Sequence, residues 1–122
     1  MAAAPGWTID SYETENGERP AVLFLRSLEP QDRVDAATLM KNLREQGNAL
    51  RRPHSASLGD GLFELRGKQV RIFYIFLPGR VALLLDGEIK KRNDIPTATL
   101  KRMRKLQRDA LMDYGRRRRS RR

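Results

Sequence analysis

The stretch that decides the fold is residues 58–91, LGDGLFELRGKQVRIFYIFLPGRVALLLDGEIKK. β-Branched and aromatic residues dominate it, and these residues favour packed strands. The predicted strands are Leu62–Arg66, Val70–Leu77 and Arg80–Asp86, with tight turns at 67–69 and at Pro78–Gly79. Because the runs IFYIFL and VALLL barely alternate between apolar and polar residues, we expect both faces of this sheet to be covered.

Charged side chains lie inside this apolar ribbon and need a reason to be there. With the predicted turns, Arg66 stands opposite Arg71, and Arg71 stands opposite Asp86. The three side chains then form one row on one face of the sheet, with Lys90 and Lys91 arriving at its end. Two opposed arginines repel each other unless an anion lies over them, and a phosphate suits the guanidinium group.

A structural explanation of the same charges stays open. In that alternative, Arg71 and Asp86 form an ion pair, and Arg66 pairs with Glu64 or with a helix carboxylate. The register itself is conditional, because Pro-Gly is not the preferred two-residue hairpin turn and a β-bulge would shift the pairing.

The flanking segments complete a small α+β domain. An edge strand over Trp7–Tyr12 precedes a short helix from Pro20, and a second helix runs from Pro30 to Gln46. Residues 51–57 read as a polar linker, and a third helix runs from Pro96 to Gly115. The predicted order is β-α-α-β-β-β-α, which gives an antiparallel sheet with two N-terminal helices and one C-terminal helix.

Composition predicts a single domain over residues 1–115 and a disordered, arginine-rich tail over 116–122. The net charge is +10, and six of these charges belong to the tail arginines. A basic chain favours nucleic acid or another acidic partner. Without cysteine, a membrane-length apolar run or an export signal, we expect a cytoplasmic protein and no thiolate metal site.

The basic cluster predicts phosphate chemistry carried out by positive charge. In RNA, a deprotonated 2′-hydroxyl attacks the adjacent phosphate, and cations stabilise the charge that builds on the phosphoryl oxygens. A lysine crowded by arginines is a candidate base, because like charge lowers a lysine pKa. The single histidine, His54, lies in the predicted linker and reads as exposed or structural rather than catalytic.

The runs GLFELR, VRIFYIF and VALLLDGEIKKRNDIP resemble the phage-derived, HigB-like branch of the RelE superfamily of toxins. The similarity covers roughly residues 20–114. It implies a RelE-like fold and a type II toxin that cleaves mRNA, generally on the translating ribosome, without a metal or another cofactor. It also implies an oligomer with a small antitoxin, usually a helix-turn-helix protein, as the partner.

The resemblance agrees with Arg66, Arg71, Lys90 and Lys91 as site residues. The expected catalytic residues are these four and Asp86, which comes from the charged row alone. The basic charge of the chain further predicts RNA-binding residues at Lys68, Arg92, Arg116, Arg117, Arg118 and Arg119. Where relatives commonly read LLHGF, this chain has Leu84–Glu88, so two acids replace a histidine and an aromatic residue.

Two further interpretations belong to other functional classes. In the first, the chain is a non-catalytic RNA- or ribosome-binding protein, or a degenerate toxin, and acts through its basic C-terminal helix and tail. Alternatively, the tail mainly docks an acidic antitoxin.

Overall fold

The computed structural model describes residues 6–120, with side chains described for 6–117. The chain divides into two compact units, one ending at Lys91 and the other beginning at Arg92. The elements of the first unit are β1 (Thr8–Ser11), α1 (Pro20–Arg26), α2 (Pro30–Gln46), β2 (Ser55–Gly59), β3 (Leu62–Arg66), β4 (Val70–Leu77) and β5 (Val81–Ile89). The second unit contains α3 (Thr97–Ser120).

The five strands form one mixed sheet in the order β1-β5-β4-β3-β2. The α+β class and the two N-terminal helices are confirmed, but the prediction of a purely antiparallel sheet is wrong. β1 pairs in parallel with β5, whereas the other three pairs are antiparallel. Hairpins can join only antiparallel strands, while β1 and β5 are far apart along the chain and are free to pair in parallel.

β2 is the strand that the sequence interpretation missed. Residues 51–57 were predicted as a linker, yet Ser55–Gly59 pairs with β3. Asp60 and Gly61 form the connecting turn, both with positive φ (52° and 82°). Asp-Gly is a typical hairpin dipeptide because both positions tolerate the left-handed region. This dipeptide was therefore the available signal for a further strand.

The helices α1 and α2 cover one face of the sheet. Alternate strand positions such as Leu65, Ile72 and Leu84 belong to one buried cluster with Leu39 and Leu43 of α2. The intervening positions of each strand point to the opposite face. Apolar side chains are buried there too, among them Leu62, Phe73 and Leu85. Both faces are covered, as predicted.

The helix α3 extends beyond its predicted end. Gly115 was expected to stop it, but the helix continues to Ser120. Asp113 forms ion pairs with Arg116 (3.7 Å) and Arg117 (3.2 Å) one turn later. Such pairs favour continuation of a helix. Residues 116–120, predicted as part of a disordered tail, therefore belong to α3, while Arg121 and Arg122 lie outside the described residues. The domain boundary at residue 115 stays a prediction.

Candidate functional site

The charged row predicted on the sheet exists, but its acidic end is a different residue. Arg66 stands opposite Arg71 in the β3–β4 ladder, which confirms that half of the predicted register. On β5, however, the residue opposite Arg71 is Glu88, and Asp86 stands opposite Phe73. The predicted Arg71–Asp86 pairing is therefore wrong. The Asp86 Oδ1 atom instead accepts a hydrogen bond from the backbone N–H of Gly87 at 2.7 Å.

Two irregularities in the second hairpin explain this correction. First, Leu77 pairs with Val81, so the turn contains the three residues Pro78–Arg80 instead of two. Gly79 and Arg80 both have positive φ there (87° and 60°). Second, a bulge leaves Leu85 without an opposite residue. Each irregularity shifts the register by one position, and together they bring Glu88 to Arg71.

Arg71 is a buried cation held between two carboxylates. It is 1% exposed, one of the most deeply buried large side chains among the described residues. Its Nε atom lies 3.4 Å from Glu64 Oε2, and its Nη1 atom donates to Glu88 Oε2 at 2.9 Å. The structural alternative is thus right that Arg71 is ion-paired, with Glu64 and Glu88 as partners instead of Asp86. A side chain so enclosed stabilises its neighbours and offers little surface to a ligand.

Glu64 connects the two arginines. Its Oε1 atom lies 3.6 Å from Arg66 Nε, and its side chain is almost fully buried. Burial raises the pKa of Glu64 above its usual value, and the positive charges of Arg66, Arg71, Lys90 and Arg52 limit this rise. Within the described chain, no donor hydrogen-bonds its buried Oε2 atom. Burying such a cluster is costly, which is typical of residues kept to position other groups.

Arg66 is the more accessible guanidinium of the row. Its side chain keeps 28% of its surface exposed, against 1% for Arg71. Its Nε atom forms an ion pair with Glu64 Oε1 at 3.6 Å, which the structural explanation of the charges predicted. Because a carboxylate neutralises only part of its donor fork, Arg66 still offers N–H groups toward solvent. Of the two arginines, Arg66 is therefore the one able to contact an anion.

The lysines gather around the β3–β4 turn beside Arg66. The Nζ atom of Lys90 donates to the carbonyl of Gly67 at 3.1 Å. The backbone N–H of Lys68 donates to Asp35 of α2 at 2.8 Å, which anchors the turn. The side chains of Lys68 and Lys91 are exposed. The structure therefore brings Lys68 and Lys90 to the end of the ladder that carries Arg66, and Lys91 follows Lys90 in the chain.

The remaining predicted RNA-binding residues belong to the second unit. Arg92 pairs with Asp94 at 3.2 Å, and Arg116 and Arg117 pair with Asp113. The side chains of Arg118 and Arg119 lie outside the described residues.

His54 is the residue that sequence reasoning set aside. The backbone N–H of Arg66 donates to the carbonyl of His54 at 2.9 Å, one step beyond the Ser55–Leu65 pair of the ladder. The backbone of His54 therefore lies beside Arg66, in the turn that precedes β2, while the row on the strands is Arg66–Arg71–Glu88. His54 is exposed. Recognising β2 in the sequence would have brought this backbone next to the end of β3, because β2 pairs with β3.

Two kinds of feature are absent from the described residues. Between residues 6 and 117, no group of three or more His, Cys, Asp or Glu side chains is arranged to hold a metal ion. No described helix is long and apolar enough to cross a membrane.

Comparisons with known proteins identify the family. No curated protein sequence matches the chain significantly. Among solved structures, the toxin–antitoxin complex RelBE2 from Mycobacterium tuberculosis aligns with a TM-score of 0.43 and 21% identity, covering 70% of this chain and 99% of that chain. The profile of the family described as phage-derived protein Gp49-like (DUF891) matches residues 23–108, more than half of the chain. The protein therefore belongs to the family of phage-derived Gp49-like proteins, which confirms the phage-derived family that its sequence resembles.

Proposed function

We propose that this protein is the toxin of a type II toxin–antitoxin module and that it cleaves mRNA on the translating ribosome. Membership of a RelE/HigB-like family supports the toxin role. The cleavage activity is supported chiefly by the partly exposed Arg66, which is paired with Glu64 and has the Lys90 side chain at the adjoining turn and the His54 backbone beside it. The proposed site of action is the cytoplasm, and the proposed partner is a helix-turn-helix antitoxin that forms an inactive oligomer with the toxin.

In the proposed mechanism, the side chains do not require a cofactor. His54 accepts the proton of the 2′-hydroxyl, whose oxygen then attacks the adjacent phosphorus. Arg66 stabilises the charge that develops on the phosphoryl oxygens, and Lys90 and Lys91 add to the positive field. The P–O5′ bond breaks, the leaving oxygen takes up a proton, and the products are a 2′,3′-cyclic phosphate and a 5′-hydroxyl. A lysine base remains the alternative to His54, and we assign no step to Asp86.

Arg71 acts as a positioning residue in this proposal. Glu64 contacts both Arg66 and Arg71, so the buried Arg71 fixes the position of Glu64 beside Arg66. Glu88 neutralises the second side of Arg71. Without Arg71, Glu64 would lose its main buried counter-ion, and Arg66 would lose a defined orientation.

A cleavage assay with single variants tests this function. The purified protein is mixed with programmed ribosomes and a labelled mRNA, and the new 5′ and 3′ ends are mapped. Arg66→Ala should lower the cleavage rate by about 10²-fold or more, as expected for loss of a group that stabilises transition-state charge. His54→Gln should lower it by about 10²-fold. Arg26→Ala, an exposed arginine on α1, serves as the matched control.

The products and the variants also define what contradicts the proposal. A 3′-phosphate or cyclic phosphate end is required, since attack by the 2′-hydroxyl produces it. Cleavage that proceeds equally well in the wild-type protein and in Arg66→Ala would remove the site assignment. Absence of cleavage with and without ribosomes would remove the enzymatic function.

The second candidate function is RNA or ribosome binding without cleavage, through α3. Among the described side chains of this helix, six basic ones are exposed: Lys101, Arg102, Lys105, Arg108, Arg116 and Arg117. Deletion of 116–122 distinguishes the two functions. If binding is the function, the deletion abolishes it. If cleavage is the function, the reaction survives, and the affinity for RNA depends less steeply on salt because fewer phosphates are neutralised.

A further inference from the structure

A pocket of about 530 Å³ lies on the helix-bearing face of the sheet, in the first unit. The segment that follows α2, including Leu50, Arg51 and Arg52, forms one wall. The other wall consists of side chains from β3 and β4, including Phe63, Tyr74 and Phe76. Phe63 and Tyr74 stand opposite each other in the β3–β4 ladder. The pocket is therefore separate from the row of charges, which occupies the other face of the same strands.

Aromatic rings dominate the strand wall of this pocket. Phe63 stacks on Tyr74 with ring centroids 5.6 Å apart, and Phe76 contacts Phe63 edge-on at 5.2 Å. The hydroxyl of Tyr74 shares a buried hydrogen bond of 2.6 Å with Ser55, which fixes its ring as the rear of the wall. Phe63 and Phe76 are only partly buried. Their rings therefore remain available to a planar ligand, since stacking needs an exposed ring surface.

The charge of the opposite wall is positive. Arg51 and Arg52 are both exposed, and none of the described lining residues carries a carboxylate. The Nη1 atom of Arg51 donates to the carbonyl of Asn48 at 2.6 Å, which holds this guanidinium at the rim. Guanidinium groups bind phosphate through paired N–H donors and also stack on planar rings. The ligand that fits both walls is a flat aromatic ring that carries an anionic group.

The size of the pocket separates a nucleotide from a protein partner. Stable protein interfaces bury about 1,200–2,000 Å², whereas sites for small ligands commonly enclose about 300–1,000 Å³. A pocket of 530 Å³ belongs to the second class. A single nucleotide offers a base for Phe63 and Phe76 and a phosphate for Arg51 and Arg52. An acidic peptide offers no equally flat group unless it carries an aromatic side chain.

Residues 51–54 connect this pocket to the row of charges. Arg51 and Arg52 line the pocket, and two residues later the carbonyl of His54 accepts a hydrogen bond from the backbone N–H of Arg66. The segment therefore leads from the pocket to the backbone beside Arg66, so that one RNA strand following it would contact both.

We propose that the pocket between residues 48–52 and the aromatic wall of β3 and β4 binds one nucleotide, its base against Phe63 and Phe76 and its phosphate at Arg51 and Arg52. The occupant is a nucleotide next to the scissile phosphate, a point that rests on the proposed function. The pocket then selects a base beside the cleavage point, while the site around Arg66 cleaves.

Binding of mononucleotides to the full chain tests the pocket without any cleavage. Trp7 is the sole tryptophan of the sequence, and its ring lies 5.0 Å from that of Phe76, so its fluorescence reports on the pocket. AMP, CMP, GMP and UMP are titrated, with adenosine and ribose 5-phosphate as half-ligands. At least one nucleotide should bind about tenfold more tightly than either half-ligand, since each half uses only one wall.

Two variants show whether the fluorescence change arises from binding between the arginine wall and the aromatic wall of the pocket. Arg52→Ser, in an exposed segment, and Phe63→Leu should each weaken binding about tenfold, the size expected for losing one phosphate contact or one stacked base. Arg26→Ser is the matched control for the loss of a positive charge and should leave the affinity unchanged. Arg66→Ala should also retain nucleotide binding, so that failure of the cleavage site and failure of the pocket give different results.

The source of the nucleotide is resolved by a further titration. An uncleavable 2′-deoxy pentanucleotide that binds more tightly than any mononucleotide, in an Arg52-dependent manner, supports a site for RNA. Tight binding of mononucleotides without competition by the pentanucleotide supports a site for a free nucleotide. No nucleotide binding, or binding that is insensitive to both Arg52→Ser and Phe63→Leu, overturns the proposal. The same holds if only an acidic peptide binds in a Phe63-dependent manner.

Discussion

The residues of the row differ in exposure, and exposure separates their roles. Arg71 is enclosed by Glu64 and Glu88, whereas Arg66 contacts Glu64 and solvent. The sequence predicted that Arg66 and Arg71 face each other, because the turn at 67–69 fixes that register. The sequence did not show which of the two arginines is buried and which is exposed, because burial depends on what covers each face of the sheet. Charge type and register are thus readable from sequence, while exposure is not.

Replacing each of the two arginines should lower the free energy of unfolding by a different amount. Arg71→Met removes the buried cation that contacts the buried Glu64 and the partly buried Glu88, so we expect a loss of about 3–5 kcal/mol in the free energy of unfolding. Arg66→Met removes a partly solvated pair and should cost about 1 kcal/mol or less. Urea denaturation at neutral pH measures both. Equal losses for the two variants would contradict the division between a supporting and a contacting arginine.

The raised pKa of Glu64 predicts a specific dependence of stability on pH. Since the folded state binds the Glu64 proton more tightly than the unfolded state, this residue lowers stability as pH rises from its usual pKa of 4.5 through the raised value. Glu64→Gln removes this contribution. The stability of the variant relative to the wild-type protein should therefore increase between pH 4.5 and pH 7, measured by urea denaturation. A relative stability that decreases over this interval would mean that the ion pairs outweigh burial.

At the scale of elements, local signals predicted strands and helices better than connections. The turn at Pro78–Arg80 contains one residue more than predicted, because Arg80 adopts positive φ, which sequence alone does not favour for arginine. The bulge at Leu85 left no composition signal either. Both irregularities moved the pairing of Arg71 from Asp86 to Glu88. The residues that face each other across three strands can therefore be predicted only where the connecting turn and the strands are regular.

The contact between α1 and β5 predicts that two substitutions, one in each element, affect stability non-additively. A Cβ atom on Gly87 would collide with the ring of Phe24 and lie 2.8 Å from the carbonyl of Arg71. Gly87→Ala should therefore cost about 1–3 kcal/mol by overpacking. Phe24→Leu in the same chain should recover part of this loss, with a coupling energy of about 1 kcal/mol. Thermal or urea unfolding of the double-mutant cycle measures it.

Gly79 provides the control for this cycle. It has positive φ (87°), and apart from its chain neighbours no atom of the described residues lies within 4 Å of a Cβ built on it. Gly79→Ala should cost about 1–2 kcal/mol through backbone conformation alone. Because nothing connects Gly79 to Phe24, the two substitutions should be additive. A coupling as large as that of Gly87 would argue against a direct collision with Phe24.

At the scale of the whole molecule, the family could be read from one ribbon of the sequence. The spacing of GLFELR, the VRIFYIF strand and the KK pair carried the resemblance, and the family match over residues 23–108 agrees with it. The sequence interpretation missed β2 and, with it, the position of His54 and the aromatic pocket. Those features depend on which chain segments meet across the sheet, and a short polar strand such as SASLG gives little periodicity.

The central claim is that this chain inhibits growth by cutting mRNA at the row that contains Arg66. Induced expression of the wild-type protein, with growth recorded and transcript ends mapped in the same culture, tests it most directly. The wild-type protein should arrest growth within the time needed for new internal transcript ends to appear. Arg66→Ala should allow growth and remove those ends, whereas Arg26→Ala should behave as the wild type. Growth arrest by Arg66→Ala at equal protein levels, or arrest without new ends, would contradict the claim.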